Sequence, residues 1–314
     1  MPLTHTKFYK YNSPAMPRKR ILFRLGYFYL TLIGFVGHLL PRRIMLWMAV
    51  LVGNFYWLIM KNDREMVRRN LSRILEDPSQ ISQTVRHTFV RYAKYLVEYT
   101  RMDLLKETHL RRLVLSFEGK EYIDRAISQG KGGLILTAHL GNWEMGGIFL
   151  TLMGYSLTVI TAPDVEARLH DYRVRLRQEQ KIKVVTLDDT LASSLAVLKA
   201  LKANELVALL GDRDLFDKGI PVNFFGQRVF LPIGPALLGY LSEADLIPTF
   251  VLMVQDDKYR CLAEPPILLQ KTGNRDEDLA MNAQRIATVL EKFIRLYPDQ
   301  WYTFYDYFSR HRVS

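Results

Sequence analysis

The chain has one cysteine, Cys261, in 314 residues. No intramolecular disulfide can form, and a reducing compartment suits it. No secretory leader is legible, because the first apolar run begins only at Ile21 and no small-residue cleavage site follows it. Internal repeats and low-complexity tracts are absent. A membrane-crossing helix needs about 20 apolar residues. Residues 21–40 reach that length only by including Arg24, and residues 44–60 fall at the short end. Acidic residues are scarce at the start: residues 1–70 hold two of the 32 Asp and Glu but twelve of the 43 Lys and Arg. Nearly all of the net charge of +11 therefore sits in the first quarter of the chain.

Those basic residues frame apolar blocks and form no stripe interleaved with stacking aromatics. This disfavours nucleic acid as a partner and favours arginines on anionic headgroups, with the apolar helices lying on or embedded in a bilayer. The expected organisation is a basic arm (1–20), a membrane-associated helical region (21–115) and an α/β catalytic region (116–314) forming a single domain with the helices. The expected location is the cytoplasmic face of the cell inner membrane.

From residue 134 onward, short apolar runs alternate with helical patterns. Strands are expected at 134–138, 157–161, 183–187, 206–210, 246–254 and 259–263. Helices are expected at 143–153, 165–180, 191–203, 235–243 and 276–296. Upstream, spacing near 3.6 predicts helices over 64–75 and 85–105. Such alternation argues for α/β architecture: a three-layer αβα sandwich with a largely parallel mixed sheet.

The most informative segment is His139-Leu140-Gly141-Asn142-Trp143-Glu144. An imidazole at a strand's carboxyl end stands where open α/β sheets present their chemistry. A carboxylate five residues on, in the first turn of the next helix, is a candidate to fix its tautomer and stabilise the imidazolium. That pair suits a base that takes a proton from a hydroxyl. Gly211-Asp212-Arg213-Asp214 follows the strand 206–210 and is expected on the same sheet edge, with Arg213 suited equally to a phosphate or to an ion pair with Asp212 or Asp214 that holds the loop. Asp212 and Asp214 also form an Asp-x-Asp, the basis of an alternative: a metal-dependent membrane glycosyltransferase. Gly226 can bring backbone close to a ligand, and Arg228 follows it. The tail holds six aromatics in the eight positions 301–308, a density that more often completes a core or meets a membrane than touches substrate.

Taken together, His139 to Glu144 as a His-x4-Asp/Glu signature, Gly211–Asp214 leading into Asn223-Phe224-Phe225-Gly226, Gly234-Pro235-Ala236, Arg69-Asn70-Leu71 and Pro298-x-Gln300-Trp301 resemble the lysophospholipid acyltransferase superfamily. The likeness is greatest to its bacterial lipid A late acyltransferases and phosphatidylinositol mannoside acyltransferases, and covers roughly residues 20–310. It implies transfer of a fatty acyl group from acyl carrier protein or coenzyme A to a lipid hydroxyl, with His139 as base and Glu144 as its orienting partner. It also places Arg213 and Arg228 where the family handles anionic groups. The expected substrate-binding set is Arg213, Arg228, Asn142, Asp212 and Gly226, with no metal and no cofactor beyond the acyl thioester. The chain departs from the lipid A enzymes at Ala162, where they often carry arginine, and in its Tyr305-Asp306-Tyr307-Phe308 tail.

Overall fold

A computed structural model describes residues 31–164, 166–187 and 191–313. The arm at 1–20 and the first ten residues of the 21–40 run lie outside them. The centre is a seven-stranded sheet in the order β1-β9-β8-β2-β5-β3-β4. These strands are β1 (Val114–Glu118), β2 (Gly133–Thr137), β3 (Leu157–Thr161), β4 (Lys183–Thr186), β5 (Leu206–Leu210), β8 (Asp245–Met253) and β9 (Tyr259–Ala263). Strands β8, β2, β5, β3 and β4 are mutually parallel; β9 runs antiparallel to β8 and pairs parallel with β1. β2 lies at the centre with every residue buried. This explains why it reads as a continuous apolar run and not as alternation.

The two faces of β2 feed different cores. Leu134 and Leu136 join one cluster with residues of α8 (Leu191–Lys202), α9 (Gly234–Leu241) and α10 (Arg275–Leu296). Ile135 points to the opposite side, with residues of α5 (Lys120–Ser128), α6 (Trp143–Leu152) and α7 (Ala167–Glu179). Helices thus cover both faces of a mixed, mostly parallel sheet, as the alternation predicts. The sequence reading lacks three strands. β1 is an edge strand with only partial burial. β6 (Ile220–Phe224) and β7 (Gln227–Leu231) form a separate antiparallel hairpin. Its turn, Phe225-Gly226, has both φ values positive, +51° and +71°, as a two-residue hairpin loop requires.

Ahead of the sheet come α1 (Arg42–Ile59), α2 (Lys61–Leu71), α3 (Ile81–Tyr99) and α4 (Glu107–Leu113); residues 31–39 are also helical. α1 buries Met45, Leu46, Ala49 and Gly53. Gly53 allows the close crossing with α3, since a Cβ there would stand 2.7 Å from Val90 Cα. Among the described residues no single helix is long and apolar enough to cross a membrane; α1 and α2 meet at a 94° bend.

Candidate active site

The carboxyl ends of β2 and β5 are tied together. Gly211 N–H donates to Thr137 O at 2.8 Å, and His139 N–H donates to Asp212 Oδ1 at 3.1 Å. The chain after β2 turns sharply through Gly141 (φ +67°), whose backbone approaches β8 so closely that a Cβ would lie 2.2 Å from Val251 O. Asn142 N–H donates to Val251 O at 2.7 Å, Gly141 N–H to Gln300 O and Tyr302 N–H to His139 O, both at 3.0 Å. His139 is therefore held by β5, β8 and the C-terminal segment together.

The carboxylate on His139 is Asp212, not Glu144. Nδ1 of His139 lies 2.8 Å from Asp212 Oδ1. Asp212 is fully buried. Its other oxygen accepts from Trp301 Nε1 at 3.0 Å, and its backbone carbonyl accepts from the Tyr307 hydroxyl at 2.6 Å. Burial works against the charge on Asp212, yet His139, Arg213 and Trp301 hold its carboxyl well below the usual carboxylate range. The His139 side chain keeps 20% of its surface. Burial, followed by nearby Arg213, pushes its pKa below the ordinary imidazole value, while Asp212 opposes the shift. Nδ1 is committed to Asp212, which leaves Nε2 as the ring nitrogen available to a ligand. The indole of Trp143 packs edge-on to its ring at 5.1 Å.

Glu144 has a different duty. Both its oxygens are taken by Arg177 of α7, with Nε at 3.0 Å from Oε2 and a terminal nitrogen at 2.5 Å from Oε1. Both side chains are largely buried. Burial disfavours the guanidinium, but Glu144 more than compensates and holds Arg177 above its ordinary range. One position into a helix, the Glu144 side chain leaves on the flank facing α7. The spacing from His139 that suggested a dyad serves a helix–helix ion pair.

The other expected residues divide. Arg213 stands beside the base: a terminal nitrogen donates to Tyr302 O at 2.6 Å, and Nε lies 3.7 Å from Asp212 Oδ2. Asn142 is spent on structure, since Oδ1 caps α6 by accepting from Met145 N–H at 3.0 Å and Nδ2 donates to Tyr259 OH at 3.2 Å. Gly226 is a hairpin turn residue with open space where a Cβ would be. Arg228 sits on the exposed face of that hairpin, paired across from Asn223. Neither contacts His139 or Asp212. The two aspartates of the Asp-x-Asp do not converge. Asp212 belongs to the histidine, while Asp214 accepts backbone N–H groups of Phe216 at 3.2 Å and Gly219 at 2.7 Å, which shapes the loop.

A cavity opens between α6 and the sheet on the face that carries Ile135 and Thr137. Its walls are largely apolar, among them Ile135, Phe149, Val159, Ala208 and Val251. Trp143, Glu144 and Arg177 also line it, so the cavity shares the Trp143 wall with the base. Gly146 and Gly147 on the sheet-facing side of α6 hold the helix near Val251 and Ile182, where added Cβ atoms would sit at 3.1 and 3.2 Å.

Sequence reasoning missed the site roles of Trp301 and Tyr307. The tail's aromatic density was visible, but the second-layer hydrogen bonds to Asp212 were not. Asn70 was visible as part of a motif without a task. Its amide donates to Thr303 O at 3.2 Å and Tyr305 O at 2.7 Å and accepts from Tyr307 N–H at 3.1 Å, clamping the tail that braces the aspartate.

A histidine on a strand end, a buried aspartate behind it and an adjoining apolar cavity are what the α/β fold brings together here. The family model for bacterial lipid A biosynthesis acyltransferases matches residues 12–310, and the chain belongs to that family. Among curated relatives it is 29% identical over 189 residues to a phosphatidylinositol mannoside acyltransferase of Mycobacterium tuberculosis, covering 59% of this chain and 60% of that one. It is 25% identical over 241 residues to the protein of that name from Mycolicibacterium smegmatis (76% and 77%), and 23% identical over 282 residues to a lipid A biosynthesis acyltransferase of Haemophilus influenzae (88% and 84%).

Proposed function

We propose that this protein transfers a fatty acyl chain from a thioester of acyl carrier protein or coenzyme A to a hydroxyl of a glycolipid acceptor at a membrane surface. The observation that carries the proposal is the 2.8 Å contact between His139 Nδ1 and buried Asp212. It leaves Nε2 as the base and stabilises the imidazolium that forms. Nε2 takes the proton of the acceptor hydroxyl as its oxygen attacks the thioester carbonyl. The tetrahedral intermediate collapses, the carbon–sulfur bond breaks, and the thiolate recovers the proton from His139. Asn142 satisfies the third amide of α6, so the Trp143 and Glu144 N–H groups, free of the helix's own bonds, are positioned as oxyanion donors beside the base. Such a donor contributes about 2.7–4 kcal/mol in acyl transfer. The apolar cavity is suited to the chain, each buried methylene contributing ~0.8 kcal/mol. No metal enters this scheme.

The membrane location is supported by α1. Trp47, Leu51, Val52, Phe55 and Leu58 are each more than half exposed on one helix, with Phe35 and Leu39 of the preceding segment exposed as well. An apolar surface of this extent, flanked by the basic excess of the first 70 residues, fits a peripheral enzyme seated on the anionic cytoplasmic face of an inner membrane. The acceptor class is supported by the relatives. The departures at Ala162 and in the tail weigh against lipid A itself and towards another glycolipid.

The test is acyl transfer by purified protein from acyl-coenzyme A or acyl carrier protein to extracted membrane lipids, read by mass spectrometry. An acyl mass increment that vanishes with His139→Ala is expected; full activity in that variant overturns the mechanism.

A further inference from the structure

A line of aromatic rings leads away from the base and ends in a guanidinium on each side. The His139 ring contacts Trp143, and Trp143 contacts Tyr95 at 4.6 Å. From Tyr95 the line runs one way to Tyr99 at 6.0 Å, over whose ring Arg173 stands at 6.0 Å. The other way it passes to Tyr92 at 5.9 Å and Tyr302 at 5.3 Å, whose carbonyl binds Arg213. Tyr92 lies within electrostatic reach of both arginines.

The two guanidiniums share an unusual feature: each is anchored by one edge. Arg173 uses a terminal nitrogen on Asp164 Oδ1 at 2.6 Å, and Arg213 uses one on Tyr302 O. The Nε atoms of both are buried with no hydrogen-bond partner, as is the hydroxyl of Tyr99, a residue only 3% exposed. Unpaired buried donors are costly and call for a partner the protein alone does not supply. Arg177, one turn on from Arg173 on the same face of α7, has its Nε satisfied by Glu144. Among the guanidiniums of the described residues, the buried nitrogens without a hydrogen-bond partner are those of Arg173 and Arg213. Three unsatisfied donors, two of them cationic, on either side of the half-buried Tyr92 match a ligand with several anionic oxygens.

We propose that Arg173 and Arg213 together form a phosphate-ester recognition site that positions one substrate against His139. This rests on the acyl-transfer reading. The same chemistry can come from the acceptor's headgroup or from the phosphopantetheine arm of the donor. Arg173 keeps its Nε edge for a phosphate oxygen, the planar presentation suited to such groups, while Arg213, whose Nε lies 3.7 Å from Asp212 Oδ2, adds its charge beside His139.

The experiment compares wild type with Arg173→Ala, Arg173→Lys and Asp164→Asn. Millimolar inorganic phosphate raises the wild-type melting temperature, and Arg173→Ala loses that shift; this readout needs no turnover. It stays distinct from failure of the acyl-transfer reading, which would show as a wild type that binds phosphate but transfers no acyl group. In turnover assays Arg173→Ala raises one KM by roughly 10- to 100-fold, the loss of a charged hydrogen bond, with kcat little changed. A rise for acyl-coenzyme A, but not for an acyl N-acetylcysteamine thioester lacking phosphate, assigns the site to the donor. A rise for a phosphate-bearing glycolipid, but not for its dephosphorylated counterpart, assigns it to the acceptor. Arg173→Lys keeps the charge and falls between. Equal phosphate stabilisation of Arg173→Ala and wild type overturns the proposal. Asp164→Asn, which loosens the anchor of Arg173, weakens the phosphate shift; an Asp164→Asn variant that loses the shift while Arg173→Ala keeps it also overturns the proposal.

Discussion

Replacing Asp212 with asparagine separates the two carboxylates that compete for the role behind His139. In the structure Oδ1 faces the imidazole Nδ1 at 2.8 Å and Oδ2 accepts the Trp301 indole N–H at 3.0 Å. The indole can only donate, and Oδ1 also accepts the His139 backbone N–H at 3.1 Å, so the asparagine NH2 opposes a donor on whichever side it faces. With the NH2 toward Nδ1 the proton is forced to Nε2, the nitrogen that the proposed mechanism uses as base, and in either orientation the charge that stabilises the imidazolium is lost. A wrong tautomer in this geometry costs up to about 10⁴ in turnover, or about 5 kcal/mol of transition-state stabilisation. The change is isosteric, so the fold should survive. Asp212 opposes the effects that lower the His139 pKa. With it gone, that pKa drops further, and the acid limb of the residual kcat/KM profile moves to lower pH. Glu144→Gln is the contrast. It leaves Arg177 buried without its counter-ion, a loss of about 3–5 kcal/mol of stability, and Glu144 is the weakest contributor to the His139 shift. Its activity should follow the folded fraction, with the acid limb nearly in place. Acyl transfer from pH 5 to 9, with circular dichroism for folding, makes the comparison. If Glu144→Gln moves the acid limb while folded Asp212→Asn keeps turnover and limb unchanged, the assignment of Asp212 is refuted.

Trp301→Phe removes the indole donor while keeping most of the ring, and should lower kcat roughly 10- to 100-fold, the worth of one hydrogen bond to a charged group; steady-state kinetics scaled to the folded fraction would check it. Burial drives the His311 pKa down to about 4. The unfolded chain gains a proton as pH falls through 6.5 while the folded protein does not until about 4, so stability is full above 6.5 and declines below it. The loss reaches about 3 kcal/mol near pH 4, and His311→Gln should flatten that part of a denaturant-midpoint profile between pH 7 and 4. Phe55→Asp on the exposed face of α1 should weaken sedimentation with anionic vesicles at least tenfold and leave the melting temperature within a few degrees, since Phe55 is 60% exposed. Gly141→Ala should cost several kcal/mol, because the position combines positive φ with a 2.2 Å approach to Val251 O; a chemical denaturation curve measures it.

Much of the sheet was legible because its central strands are buried on both faces, and a strand such as Leu134-Ile135-Leu136 announces itself by unbroken apolarity. β1 and the β6–β7 hairpin were not, for a physical reason in each case. β1 is half-wet and carries Ser116 and Glu118, so its pattern is neither a run nor an alternation. The hairpin alternates Val222 and Phe224 against Val229 and Leu231 correctly, but Phe at a positive-φ turn position hides the loop that Asn-Gly would have marked. The histidine was legible from its place after a strand. Its partner was not, because the sheet order that puts β5 beside β2 is a property of the crossover connections and not of local sequence.

This is also why a five-residue spacing can mislead. Between His139 and Glu144 the chain reverses at Gly141 and enters α6, capped by Asn142, so the two side chains start from different elements with different orientations. The aspartate, seventy-three residues away in sequence, starts from the neighbouring parallel strand, where the register Thr137–Leu210 puts the two strand ends side by side. Parallel neighbours with matched ends are what bring distant residues to bonding distance. Glu144 is still needed at that spacing for another reason. Bound to Arg177, it fixes α6 against α7 and holds open the cavity that both helices line beside the base. One acidic residue of the pair tunes the imidazole, and the other keeps in place the wall along which a hydrocarbon would reach it.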